Sequence, residues 1–330
     1  MRFVSNNGIT DPTLNLALEE YILRSLPDND DYLLFYMNEP SIIIGKNQNT
    51  VEEINAEYVE TNGIHVVRRL SGGGAVYHDL GNLNFSFIMK DDGQSFHNFK
   101  KFTEPVVRAL QRLGVDAEMT GRNDLQVGER KISGNAQFST KGKMFSHGTL
   151  LFDSEIENVV SALKINAEKY VSKSTKSIRS RVANISEFLK EPLTVEQFRQ
   201  SLLQSIFEGF EEIPFYELTE QDWESVHKLA DERYRSWEWN YGRSPAFNVQ
   251  QKKRIEGAGT FDVRLQVEEG VIVGAAIYGD FFGRGDRNEV AEKLIGTRYE
   301  ASALKQLIDG IDLPFYFGPV TNEQWLELLL

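Results

Sequence analysis

RRLSGGGAVYHDLGNLNFSFIMK, residues Arg68 to Lys90, is the stretch on which the fold turns. Three consecutive glycines follow two arginines. Without a Cβ, glycine reaches positive φ and lets backbone N–H groups approach a bound anion or a thin acyl chain. A phosphate loop of the Walker type needs a Lys-Ser/Thr pair after its last glycine, where Ala75-Val76 stands. The dinucleotide fingerprint needs a glycine where Tyr77 sits and then a helix. Instead Leu83, Phe85, Phe87 and Met89 alternate with Asn84, Ser86 and Ile88, a period-two pattern. The glycines are therefore expected in a loop between strands, at Ile64–Arg69 and Leu83–Lys90. Taken alone, this segment also reads as a glycine-rich hairpin with two solvated arginines.

Charge narrows the choice. The chain has 36 basic and 49 acidic residues, a net of −13. Between Arg122 and Lys143 the balance is reversed: Arg122, Arg130, Lys131, Lys141 and Lys143 face only Asp124 and Glu129. A third stretch, KSTKSIRSRVAN from Lys173 to Asn184, has four cations and no carboxylate. Local positive charge in an acidic chain, twice beside glycine, points to a phosphate-bearing ligand.

Taken together, RRLSGGGAVYHDLGN, GRNDL, KISGNAQ, HGTLLF and KSIRSRVAN, in this order, resemble the lipoate–protein ligase family. So do DPTLNLALEE (Asp11–Glu20), IIIGKNQN (Ile42–Asn49) and SWEWNYG (Ser236–Gly242). The resemblance spans roughly residues 3 to 245, and the remainder is similar in layout to the family's accessory domain. It implies an α/β catalytic domain of the biotin/lipoyl ligase type, a mixed sheet with flanking helices, over residues 1–244. A small α+β accessory domain over 245–330 is implied as well. The implied activity consumes ATP and lipoate: lipoate is activated to lipoyl-AMP and passed to a lysine of a carrier. The implied carriers are apo lipoyl domains of 2-oxo-acid dehydrogenases or the glycine-cleavage H protein, and the role is lipoate salvage.

Adenylation brings a carboxylate against the α-phosphate of ATP, two anions that repel. A lysine between them neutralises both. Lys131, heading KISGNAQ, occupies the position of the family's essential lysine. By the same resemblance Arg69, Gly74, Ala75, Val76 and Tyr77 hold the nucleotide, with Asn123, Asp124, Arg179 and Arg181. Ser71, Gly72, Gly73 and His78 belong to the loop that closes over the lipoyl group. Gly134, Ala136, His147 and Gly148, with Lys131, line that group's site. Lys173–Arg181 resembles the adenylate-binding loop, which would shield the activated intermediate from water. Asp124 either holds Mg²⁺, which prefers few carboxylates plus phosphate oxygens, or merely shapes an Asn-Asp turn.

The chain has no cysteine, which closes the acyl-thioester route that octanoyltransferases and amidotransferases of the same fold use. Its five histidines have no metal-ligand spacing. Biotin ligases of this architecture carry arginines in and after the glycine loop; Ala75, Val76 and Tyr77 disfavour biotin. A transferase of preformed lipoyl-AMP, or a binding protein, stays as the alternative, against which Lys131 argues. No apolar run approaches the roughly 18 residues of a membrane span, and MRFVSNNGITD shows no signal pattern. A cytoplasmic monomer is expected, with no nucleic-acid or membrane partner.

Along the chain, Asp11 caps a helix through Ser25, with Pro12 at its first position. Tyr32–Met37 and Ser41–Gly45 read as strands, and Val51 to Thr61 as one helix. Phe96 to Leu113 is a further helix, with Pro105 inside it. Strands return at Leu125–Val127, Lys131–Phe138 and Met144–Phe152. Thr194 and Thr219 begin helices to Phe210 and Ser236, and Trp237 and Trp239 read as packing residues. Thr260–Glu268 and Val271–Tyr278 form a hairpin, followed by two short helices and an Asn322-capped tail. The boundary is placed at Ser244-Pro245, with Gly242–Phe247 as a hinge on which the small domain swings.

Overall fold

The computed structural model describes residues 1–48, 50–163, 181–241, 249–268, 270–299 and 301–330. The boundary at Ser244-Pro245, the hinge at 242–247 and all but the last residues of the KSTKSIRSRVAN stretch, Arg179 among them, lie outside the described residues. The chain divides into two compact units. The first comprises Met1–Ile43, Val51–Arg68 and Val76–Asn240; the second comprises Ile44–Thr50, Arg69–Ala75 and Tyr241–Leu330.

The first unit is built on a mixed sheet. Its strands are β1 (Arg2–Ser5), β2 (Tyr32–Met37), β6 (Asn82–Lys90), β7 (Ala117–Thr120), β8 (Asp124–Val127), β9 (Arg130–Thr140), β10 (Lys143–Leu151) and β11 (Phe215–Tyr216). Their order is β11-β1-β2-β6-β10-β9-β8-β7. β1 runs parallel to β2 and β11, whereas β2, β6, β10 and β9 alternate antiparallel. The period-two pattern of β6 becomes two faces. Leu83, Phe85 and Phe87 join Leu33, Phe35, Ile132 and Met144 in the core. Two helices close that core, α4 (Phe99–Arg112) through Phe102, Val106 and Leu110, and α6 (Val195–Ile206) through Phe198 and Leu202; α5 (Ile156–Ala162) lies between them in the chain. Burying each such side chain is worth about 1.5–3 kcal/mol.

Helix α1 (Pro12–Ser25) makes contacts with β2, β6 and β10. Asp11 caps it, accepting from the Thr13 N–H at 2.8 Å. A smaller sheet, β4-β3-β5, joins β4 (His65–Arg68), β3 (Ser41–Ile44) and β5 (Val76–His78). The glycines therefore do lie between strands, but the second strand is β5, too short for a periodicity to show.

Other expectations are corrected. Val51–Thr61 is not one helix: α2 (Thr50–Glu53) and α3 (Ala56–Thr61) are separate, because Asn55 restarts the chain as an N-cap. The helix after Thr219 is α only over α7 (Glu220–Leu229); a π turn follows at Ala230–Tyr234. The turn carries Arg233 and Tyr234 to the buried carboxylate of Glu20, with the Tyr234 hydroxyl donating at 2.8 Å. Arg68, expected to offer charge to a ligand, is buried and tied to the first unit. Its Nε donates to the Trp239 carbonyl at 2.9 Å, and the Trp239 indole donates to the Arg68 carbonyl at 2.8 Å. Trp239 thus packs as expected, but Trp237 is 52% exposed.

The second unit has an antiparallel sheet, β12 (Val249–Ile255), β13 (Gly259–Glu268) and β14 (Val271–Gly279), in that order. Among the described residues three helices precede the capped tail rather than two: α9 (Arg287–Leu294), α10 (Ala301–Ile308) and α11 (Leu313–Phe317), with α12 (Asn322–Leu329) as the tail. The last is capped by Thr321, one residue before the expected Asn322. Phe261, Phe281, Phe317 and Trp325 form the centre of its core, with Phe261 stacked on Phe281 at 4.7 Å.

Candidate functional site

In a regular strand, Lys131 and Gly134 would point to opposite faces, being three residues apart. A bulge changes this. Gln126 pairs with Lys131 but Asp124 pairs with Gly134, so β9 holds one residue more than β8. Ile132 and Ser133 are both fully buried within the extra turn. The bulge brings the Lys131 side chain back to the face of Gly134 and Asp124. Its ammonium meets Asp124 Oδ1 at 2.9 Å, with both side chains about a third exposed. Gly134 lies beneath it: a Cβ there would be 3.1 Å from Lys131 Nζ.

The Lys131 backbone is gripped by residues 181–183. Its N–H donates to the Arg181 carbonyl at 2.6 Å, and its carbonyl accepts from the Ala183 N–H at 2.9 Å. Arg181 thus reaches the site through its backbone. Asn123 is engaged structurally: its side chain donates to the Asn135 carbonyl, and the Asn135 amide donates to the Asn123 carbonyl at 3.0 Å.

The same face continues along β9 and β10. Ala136 pairs with His147, and His147 with Ser86. The register adds Asn84 and, through β2, Leu34 and Tyr36. His147 is buried against Glu19 of α1, donating from Nδ1 to Oε1 at 2.9 Å. This bond fixes the ring's tautomer and orientation. Glycine and alanine at 134 and 136 keep the strand surface low beside it. Glu19 was not singled out from the sequence; on an amphipathic helix an acid at one register looks like any other. The DPTLNLALEE match was its only signal.

Gly148 behaves differently. It lies on the core side of β10, where a Cβ would come within 2.1 Å of Asn135 Oδ1 and 2.7 Å of the Phe85 ring. His78 ends a buried amide chain: Asn6 donates to Asn15, Asn15 to Asn38, and Asn38 to His78 Nδ1 at 3.0 Å. That leaves the ring proton on Nε2. On β5, Tyr77 is buried and Val76 pairs with Ile43. Burial, and then the charge of Asp79, push the Tyr77 hydroxyl up to about 12, so it stays a donor.

The glycine loop belongs to the second unit. Arg69 folds back into it: Nε donates to Ser71 Oγ at 3.0 Å, and Nη2 to the carbonyls of Gly72 at 2.7 Å and Gly74 at 2.8 Å. Two of the glycines are required by packing. A Cβ at Gly72 would meet the Phe281 carbonyl at 2.3 Å, and one at Gly73, where φ is +93°, the Phe282 ring at 2.8 Å. Gly74 is different: its φ is not left-handed, and a Cβ there would meet nothing within 4 Å. Ala75 beside it is partly exposed.

Comparison with known proteins matches both parts of the chain. Residues 11–207 match the model of the lipoyl protein ligase A/B catalytic domain, and residues 244–329 that of the bacterial lipoate protein ligase C-terminus. The lipoate-protein ligase LplJ of Bacillus subtilis is 60% identical over 331 residues, covering 100% of both chains. A bipartite lipoate protein ligase solved with its E2 lipoyl domain, from Thermoplasma acidophilum, superposes with a TM-score of 0.66. It is 34% identical and covers 75% of this chain and 98% of its own. A lipoate-protein ligase A solved with ATP gives a TM-score of 0.63 at 31% identity, covering 73% and 98%. With both parts of the chain matched and a full-length relative at 60% identity, the protein belongs to the lipoate–protein ligase family.

Proposed function

We propose that this ligase activates lipoate with ATP and joins it to a carrier lysine in two steps, with Lys131 as the catalytic group. A lipoate carboxylate oxygen attacks the α-phosphorus and pyrophosphate leaves. The carrier amine then attacks the acyl carbon and AMP leaves. The observation that carries the reading is the β9 bulge, which aims Lys131 across Gly134 beside Asp124, on the face that also bears His147. An ammonium fixed there neutralises the meeting anions and the charge that builds on the α-phosphate, without reorganisation at the moment of reaction.

The low floor at Gly134 and Ala136 receives the acyl chain, and the His147–Glu19 pair marks its buried end. Packing gives no reason for glycine at Gly74, so close approach of a phosphate group is the reason we assign. Arg69, Ala75, Val76 and Tyr77 then serve the nucleotide, and Ser71 and His78 the lipoyl group. Residues 1–244 carry the catalysis and 245–330 serve it as an accessory domain.

Among the described residues no cluster of three or more His, Cys, Asp or Glu side chains could hold a metal. Asp124 gives one oxygen to Lys131 and has another to offer. That fits a Mg²⁺ which arrives with the nucleotide and takes most of its ligands from phosphate and water. Such an ion would neutralise the phosphate oxygens and ready pyrophosphate to leave.

The carriers are apo lipoyl domains or the H protein, and the setting is a cytoplasmic monomer in lipoate salvage. No helix among the described residues is long and apolar enough to cross a membrane. Intact mass of an apo lipoyl domain after incubation with enzyme, ATP, Mg²⁺ and lipoate tests the whole proposal. A lipoyl mass gain on its lysine is expected, and none with biotin. A gain only with preformed lipoyl-AMP would make the protein a transferase.

A further inference from the structure

Consecutive residues Phe281 and Phe282 are both buried, but by different partners. Phe281 stacks on Phe261 and meets Phe317 edge-on, at the centre of the second unit's core. Phe282 is absent from that core cluster. Its ring lies against the glycines: a Cβ at Gly73 would be 2.8 Å from Cζ, and one at Gly72, already 2.3 Å from the Phe281 carbonyl, 3.1 Å from Cδ1. The C-terminal segment also reaches the loop by an indirect route. The Gly279 N–H donates to the Asn47 carbonyl at 2.7 Å, and the Asn47 side chain donates to the Phe281 carbonyl. Arg287 donates to the Asn47 carbonyl as well. The 44–48 segment in turn holds the loop. Lys46 N–H donates to the Ser71 carbonyl at 2.8 Å, Arg69 N–H donates to the Ile44 carbonyl at 2.9 Å, and Gly45 lies against the Gly73 carbonyl.

We infer that Phe282 is a positioning residue for the ligase reaction: its ring is the shelf on which glycines 72 and 73 rest, while Asn47 and Arg287 fix the segment behind them. The C-terminal residues thus set the conformation of the loop that handles substrate. Glycine at 73 and an aromatic ring at 282 are one packing solution, since a Cβ at 73 would strike the shelf; at 72 the Phe281 carbonyl, 2.3 Å from a Cβ, is met before the ring. The functional half of this inference rests on the loop assignment proposed above.

The test compares the full chain with Phe282→Ala and Phe282→Leu. Hydrogen exchange of the amides in 69–75 should speed up about tenfold or more in Phe282→Ala, with β12–β14 as protected as before. In pyrophosphate release the KM for lipoate should rise about tenfold, with kcat within about twofold. Phe282→Leu, which keeps a large apolar side chain, should recover most of both. Unchanged exchange at 69–75, or loss of protection throughout the β12–β14 sheet, would overturn the shelf. Faster exchange with an unchanged KM would overturn the positioning role. If the wild-type chain released no pyrophosphate with lipoate, the functional reading would fall, while the exchange data would still decide whether Phe282 holds the loop.

Discussion

Gly134→Ala is predicted to separate catalysis from stability with a single methyl group. The new Cβ would sit 3.1 Å from Lys131 Nζ and 3.3 Å from Cε. An unstrained contact needs about 3.5 Å or more, so the ammonium must retreat by about half an ångström. It cannot do so without stretching its 2.9 Å bond to Asp124. Displacements approaching 1 Å cost about a hundredfold in rate. A drop in kcat of about tenfold to a hundredfold, or ~1.4–2.7 kcal/mol of barrier, is expected here. Stability should move the other way. Gly134 has no left-handed φ, and glycine within a strand is destabilising by about 0.5–1 kcal/mol against alanine. The assay is pyrophosphate release at saturating lipoate and ATP, beside a urea titration. A slower enzyme with an equal or higher urea midpoint is predicted. A variant that is stable and turns over at the wild-type rate would show that Lys131 does not act from the position the bulge gives it.

Four further outcomes are expected. Asp124→Asn keeps the shape but removes the charge beside Lys131; adenylation should fall about tenfold or more, and the Mg²⁺ concentration for half-maximal rate should rise, as a magnesium titration will tell. Gly148→Ala forces a Cβ against Asn135 Oδ1 and the Phe85 ring, so unfolding free energy should drop by about 1–3 kcal/mol by denaturant titration. Gly74→Ala meets open space, so stability should hold while the KM for ATP rises several-fold. For Asp11, burial pushes the pKa up, but hydrogen bonds from Thr13 and Arg235 outweigh it and hold the carboxyl below 3.8. A depressed folded value means stability present above pH about 4 and lost as pH falls through the folded pKa. Asp11→Asn should therefore cost stability at pH 7 and much less at pH 2.5, by urea midpoints at the two values.

Much of this was legible in the chain, and the gaps have physical causes. Alternation in Leu83–Met89 announced a strand with a core face, and Asp11-Pro12 announced a helix start; both signals are local. The bulge that aims Lys131 was not legible, because it is a relation between β8 and β9 and not a property of KISGNAQ. Nor was the fate of the two arginines. Arg68 and Arg69 are adjacent and chemically alike, yet one is consumed by Trp239 and the other by its own loop. Phe282 reads as one apolar residue among several. Only the neighbouring core position of Phe281 reveals that its ring is turned elsewhere. Trp237 erred the other way: tryptophan favours burial, but the four-residue helix α8 (Trp237–Asn240) presents it outward.

The central claim is that Lys131 drives formation of an acyl-adenylate. It is tested most directly by pyrophosphate release with ATP, Mg²⁺ and lipoate, without any carrier, in the wild-type chain and in Lys131→Ala. Lipoate-dependent release by the wild type and none above background by the folded variant is the predicted result. Equal release by both would contradict the account.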